Sequence, residues 1–234
     1  MSVQSPSEAE AAIRGGADIL DVKDPARGSL GCAGPEVMAT IPALNRPLTA
    51  ALGECVDWAD ARPFRVPSTV SMIKLGLAGL GRRETWVGEW LDVRRRFEDE
   101  FGAGLAWVAV AYVDKRAAAS PEIGEVASAT IETGCVGLLL DTFDKRGGGL
   151  FEYVSEGVLI DLAAQMHAAD RFLAVAGRLN LGDVSRLGGL PVDVVAVRSA
   201  ACSGEDRRSS IRSDQVAACR AALHRTAPQL SGAC

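Results

Sequence analysis

Histidine is nearly absent from this sequence. Only His167 and His224 occur in 234 residues; both fall in segments that read as helix, and neither has a partner at ligand spacing, so no metal or other cofactor is expected. Aromatic residues are also scarce, 5% against 48% apolar overall, so the interior must be built mainly from Ala, Val, Leu and Ile. No apolar run approaches the roughly 20 residues that span a bilayer, and no membrane partner is expected. Positive charge is not in excess: 25 Lys and Arg stand against 30 Asp and Glu, a net charge of −5. That balance argues against a nucleic-acid partner. The two basic runs, Arg94-Arg95-Arg96 and Arg207-Arg208, read as solvated faces, the second with the alternative of helping a phosphate site. Six cysteines (Cys32, Cys55, Cys135, Cys202, Cys219, Cys234) show no paired short spacing, and Met1 to Gly15 is polar and Ala-rich, unlike a signal peptide. A reducing, cytoplasmic setting is the expectation.

What is present is an alternation. Short runs rich in Val, Ile, Leu and Ala, bounded by Gly, Pro or Asp, alternate with longer amphipathic segments, the pattern of βα units around a parallel sheet. The expected strands are Ser2–Ser5, Ala17–Asp24, Pro47–Gly53, Ser71–Leu77, Leu105–Val113, Val136–Thr142, Arg171–Leu179 and Val194–Ala201. Helices are expected over Ser7–Arg14, Thr85–Phe101, Pro121–Thr133, Phe151–Ala168 and Ser213–His224, with Ser120 capping the third. Eight strands in a chain of this length predict an α/β fold, a single (β/α)₈ TIM barrel over residues 1–225, with 226–234 a flexible tail.

A barrel strand buried on both faces should be almost wholly apolar, and barrel active sites lie at the C-terminal strand ends. Charges at those ends therefore need a reason. The second strand carries Asp21 and Lys23, two apart and on one side; the fourth carries Lys74; the sixth ends in Asp141 and is followed by Lys145; the eighth ends in Arg198. All are even-numbered strands, whose inward residues share layers. The alternative is a set of structural ion pairs, which accounts for one lysine more easily than for three. Crowded, desolvated lysines lose protons and attack carbonyls, while the aspartates move protons. The turns after the last strands, with Gly177, Gly182, Ser199, Ser203 and Gly204, suit a phosphate, with Arg198 as its charged ligand. The alternative places Arg198 at the barrel rim, paired with Asp183 or Asp193.

The stretch Gly16-Ala17-Asp18-Ile19-Leu20-Asp21-Val22-Lys23-Asp24-Pro25, followed by Gly28-Ser29-Leu30-Gly31, resembles the (5-formylfuran-3-yl)methyl phosphate synthase family. The similarity continues through Lys74-Leu75-Gly76-Leu77, Ala109-Val110-Ala111-Tyr112, Leu140-Asp141-Thr142 to Lys145, and Ala176-Gly177-Arg178-Leu179. The resemblance implies a barrel that condenses two glyceraldehyde 3-phosphate molecules, with loss of phosphate and water, in methanofuran or methylofuran biosynthesis. It places the active-site residues on Asp21, Lys23, Lys74, Asp141 and Lys145. The Ala- and Arg-rich composition favours the bacterial, methylofuran branch. A homo-oligomer is expected. The short polar first strand and the triple glycine Gly147-Gly148-Gly149 depart from the family pattern. Other readings are a different lysine-dependent aldolase or phosphosugar isomerase, or a silent barrel that binds a phosphorylated metabolite or a protein.

Overall fold

The computed structural model describes residues 1–42, 45–101 and 105–224; the expected tail lies outside the described residues. Eight parallel strands follow one another in chain order: β1 (Ser2–Val3), β2 (Leu20–Val22), β3 (Leu48–Glu54), β4 (Val70–Gly76), β5 (Ala106–Tyr112), β6 (Gly137–Asp141), β7 (Phe172–Val175) and β8 (Val194–Val195). Between and after them lie α1 (Pro6–Arg14), α2 (Pro35–Thr40), α3 (Trp86–Phe101), α4 (Lys115–Ala118), α5 (Ile123–Glu132), α6 (Leu150–Tyr153), α7 (Glu156–Ala168), α8 (Leu181–Leu187) and α9 (Ser213–His224). A bond from the Ser2 amide to the Val197 carbonyl, 3.1 Å, joins the last strand segment to the first. The fold is a (β/α)₈ barrel.

Strand periodicity creates two cores. One parity of each strand, such as Leu20, Val22, Ile73, Leu75, Leu138, Leu140, Leu173 and Val175, faces the helices and belongs to the large outer core. The other parity, including Ala51, Val108, Val110, Leu139, Ala174 and Ala176, forms a separate inner core. Three of those inner residues are alanines, so the barrel axis keeps space that larger side chains would fill. The few aromatics are concentrated rather than spread. Trp58, Phe64, Phe97 and Trp107 meet edge to face, and the buried Arg94 guanidinium lies 5.0 Å from the Trp90 ring centroid and 5.2 Å from that of Trp107.

The expected elements are present with local corrections. The first strand is two residues long. The segment 151–168 is two helices, because Val154 is extended and the Ser155 hydroxyl caps a new start by accepting from the Val158 amide. Ser120 does not cap α5; Glu122 does, and the Glu125 carboxylate accepts from the Glu122 amide. The turn after β7, read as a glycine-rich loop, holds α8, capped by Asn180 and Asp183.

Candidate active site

The C-terminal strand ends carry two buried lysine–aspartate pairs. In the first, Lys74 Nζ on β4 reaches Asp21 Oδ1 on β2, while Thr49 Oγ1 donates to the same oxygen at 2.7 Å and Ser2 Oγ lies 3.3 Å from Oδ2. In the second, Lys145 Nζ donates to Asp141 Oδ1 at 2.6 Å and to Thr142 Oγ1 at 3.1 Å. Ser29 Oγ lies 2.9 Å from Asp141 Oδ2 and 2.8 Å from the Thr142 carbonyl. Burial alone would raise both carboxyls, but the adjacent ammonium groups outweigh it. Lys74 and Lys23 hold Asp21 below the usual carboxylate range, and Lys145 and Lys23 do the same for Asp141.

Lys23 differs from the other two lysines. It follows β2 directly and is 8% exposed, and among the described residues its Nζ makes no hydrogen bond or ion pair. Burial is the main reason its pKa falls from 10.5 to about 8; Asp141 and Asp21 oppose the fall, while Lys145 and Lys74 assist it. Burial also lowers Lys145, although Asp141 opposes this directly. The arrangement is a deprotonatable amine between two carboxylate-bound ammonium groups.

These residues line a cavity of about 250 Å³ that opens at the mouth and runs down to Phe172 and Met72. Its wall carries six cationic side chains, Lys23, Lys74, Lys145, Arg178, Arg198 and Arg207, and two carboxylates, Asp21 and Asp141. A positive surplus in a chain of net charge −5 favours an anionic ligand there.

The expected phosphate residues separate in the structure. Gly177 and Ser199 line the cavity, whereas Ser203 and Gly204 do not; they belong to the short turn Ser203–Glu205. Arg198 lines it, but its guanidinium is already engaged. Nε donates to the Arg207 carbonyl at 2.6 Å, Nη1 to the Ser2 carbonyl at 3.0 Å and Glu8 Oε2 at 2.9 Å, and Nη2 to Glu8 Oε1 at 3.1 Å. Arg198 thus stands in the cavity wall within a buried ion pair, and its acidic partner is Glu8, not Asp183 or Asp193. Asp193 instead accepts from the Leu173 amide and meets His167.

A polar pair not anticipated from the sequence lies on the Asp141 side of the site. Tyr112 on β5 donates to Glu54 at the end of β3, and the Ala78 amide donates to the other Glu54 oxygen at 3.0 Å. Gly76 makes room for them, since a Cβ there would run into both Glu54 and Tyr112. Thr49 is a further site residue the sequence reading does not single out, and Ser29 enters that reading only within the family stretch. For Thr49 the available signal was the one that marks the lysines, a polar residue within an apolar strand.

The family model for 4-HFC-P synthase matches residues 1–220. The chain belongs to the 4-HFC-P synthase family. It is 34% identical to the (5-formylfuran-3-yl)methyl phosphate synthase of Methanopyrus kandleri, over 89% of this chain and 91% of that protein. The enzyme of the same name from Archaeoglobus fulgidus is 30% identical, covering 96% and 98%. Among solved structures, GGGPS from Thermoplasma volcanium superposes with a TM-score of 0.57 at 13% identity, over 92% of this chain and 88% of that one. KGPDC from Streptococcus mutans does so at 0.56 and 12%, over 95% and 94%. Those two likenesses concern the fold alone.

In this 4-HFC-P synthase family member Gly177 has a local task. Its φ is +111°, and a Cβ would lie 3.0 Å from the Thr142 side chain and 3.2 Å from its backbone nitrogen, next to Asp141. Gly177→Ala is expected to cost about 1–3 kcal/mol of stability. A thermal-unfolding midpoint equal to wild type would show that this approach is not tight.

Proposed function

We propose that this chain is a (5-formylfuran-3-yl)methyl phosphate synthase that joins two molecules of glyceraldehyde 3-phosphate in the biosynthesis of a furan cofactor. The observation that carries the reading is the state of Lys23, a buried amine with a lowered pKa and, among the described residues, no acceptor, between two lysines that each have one. Neutral Lys23 adds to a triose carbonyl and, with loss of water, forms an imine that makes the neighbouring carbon acidic. Asp141, held by Lys145, Ser29 and the Thr142 amide, then moves protons during carbon–carbon bond formation and elimination. Lys74 is tied to Asp21 in a buried ion pair, which leaves Lys23 as the nucleophile. The overall conversion is redox-neutral: two trioses give the furan phosphate, one phosphate and two waters.

Incubation of pure protein with glyceraldehyde 3-phosphate tests substrate, reaction and product together. A furan-aldehyde absorbance should grow in step with released phosphate; an aldol product that keeps both phosphates, or isomerised triose, would instead indicate another lysine-dependent aldolase or an isomerase.

The pH dependence has a definite sign. The attacking species is the neutral amine, so single-turnover borohydride labelling of Lys23 should be weak at pH 6 and rise through a midpoint near the pKa of about 8, levelling above it. A midpoint near 10.5, the value of an ordinary lysine, would show that the site does not activate this amine.

A further inference from the structure

The cavity mouth contains an assembly that the chemistry above leaves unused. Arg207 lines the cavity, and its Nη2 donates to the Gly28 carbonyl at 3.0 Å. Among the described residues no carboxylate lies within ion-pair distance of it. Burial lowers its pKa and Asp141 opposes this, while its charge in turn helps lower Lys145. It is therefore a half-buried, uncompensated guanidinium facing the lysine layer, with N–H groups to spare.

The turn that carries Arg207 is held from below. Arg198 Nε grips the Arg207 carbonyl at 2.6 Å, and Arg198 is fixed by Glu8 and by the Ser2 carbonyl. Arg198 and Glu8 are 7% and 5% exposed, and Glu8 also accepts from the Gln4 amide at 3.0 Å. Removing one partner of a buried charge pair leaves the other uncompensated, so this clasp resists small displacements.

We infer that Arg207 takes the phosphate of a bound triose phosphate, and that Arg198, clasped by Glu8, is the positioning residue that holds Arg207 at the mouth. The inference rests on reading the substrate as a triose phosphate. It reverses the sequence-based assignment, in which Arg198 itself touches the anion. A bidentate, charge-assisted contact needs the guanidinium fork in one place, and a turn tethered through its own carbonyl supplies that.

The test uses Arg207→Ala, Arg198→Lys and the double variant. Inorganic phosphate binding is measured by calorimetry, saturation by glyceraldehyde 3-phosphate by kinetics, and Lys23 labelling with unphosphorylated glyceraldehyde and borohydride. Arg207→Ala should weaken phosphate binding and raise KM by roughly tenfold to a hundredfold, with glyceraldehyde labelling unchanged. Arg198→Lys should give a similar KM rise with kcat near wild type although Arg207 is intact, and the double variant should be no weaker than Arg207→Ala alone. If Arg198→Lys does not fold, Glu8→Gln, which preserves shape and removes the charge, replaces it and should raise KM in the same direction. Wild-type phosphate affinity in Arg207→Ala would overturn the contact. Losses that simply add in the double variant would overturn the positioning role. Failure of glyceraldehyde to label Lys23 in the wild type would count against the imine reading alone, because phosphate calorimetry judges Arg207 without any chemistry.

Discussion

Lys23→Ala should abolish borohydride-dependent incorporation of a triose phosphate and reduce furan formation to background. The expectation follows from comparing three amines in one cavity. Lys74 and Lys145 each donate to a buried carboxylate, and attack by either would first require breaking an ion pair and leaving an aspartate uncompensated in the interior, at a cost of several kcal/mol. Lys23 has no such bond to break. Lys23→Arg should fail equally, since a guanidinium stays protonated at any usable pH. Near-native circular dichroism would separate lost chemistry from lost folding. Labelling that persists at the wild-type level in Lys23→Ala would transfer the role to Lys145, the lysine on a loop and therefore the freer of the remaining two.

Asp141→Asn should lower turnover by roughly a hundredfold to ten-thousandfold if proton transfer is its work, with the barrel still folded. The variant offers a second, independent reading. Asp141 is the foremost influence opposing the fall in the Lys23 pKa, so removing its charge should move the midpoint of Lys23 labelling below about 8. At neutral pH the variant would then form the imine at least as readily as wild type and stall afterwards. A merely structural aspartate predicts a different pair of results, a lowered melting temperature with turnover close to normal.

The strands were legible because a barrel needs inner and outer parities that are both apolar, and Val, Ile, Leu and Ala write that pattern directly into the chain. The strand-end lysines and aspartates were legible for the converse reason: charge on a doubly buried strand must be explained. Short elements were harder to read. The four residues of α4 and of α6 offer too little periodicity to separate from loops, and the break at Val154 and Ser155 depends on a cap whose donor comes from the following turn. The partner of Arg198 was illegible because Glu8 lies 190 positions away in the chain, on a helix that meets the segment after β8 only once the barrel has closed. Glu54 and Tyr112 were missed because each, taken alone, is an ordinary residue at the end of an apolar run.

Closure also carries a consequence for folding order. The seam joins two strands of only two residues each, and the Arg198–Ser2 bond across it links positions 196 apart. Loop-closure entropy grows only logarithmically with that separation, so the seam is not costly at equilibrium. Kinetically, pairings so distant form late. The hydrogen bonds around Asp21, Lys74 and Thr49 come from neighbouring strands and can form while the sheet is still an open arc. The clasp that steadies Arg207 needs the finished circle, as does the meeting of Ser29 and Asp141 across the barrel, so only the Asp21–Lys74–Thr49 cluster can precede closure, and order at the mouth marks the completion of folding.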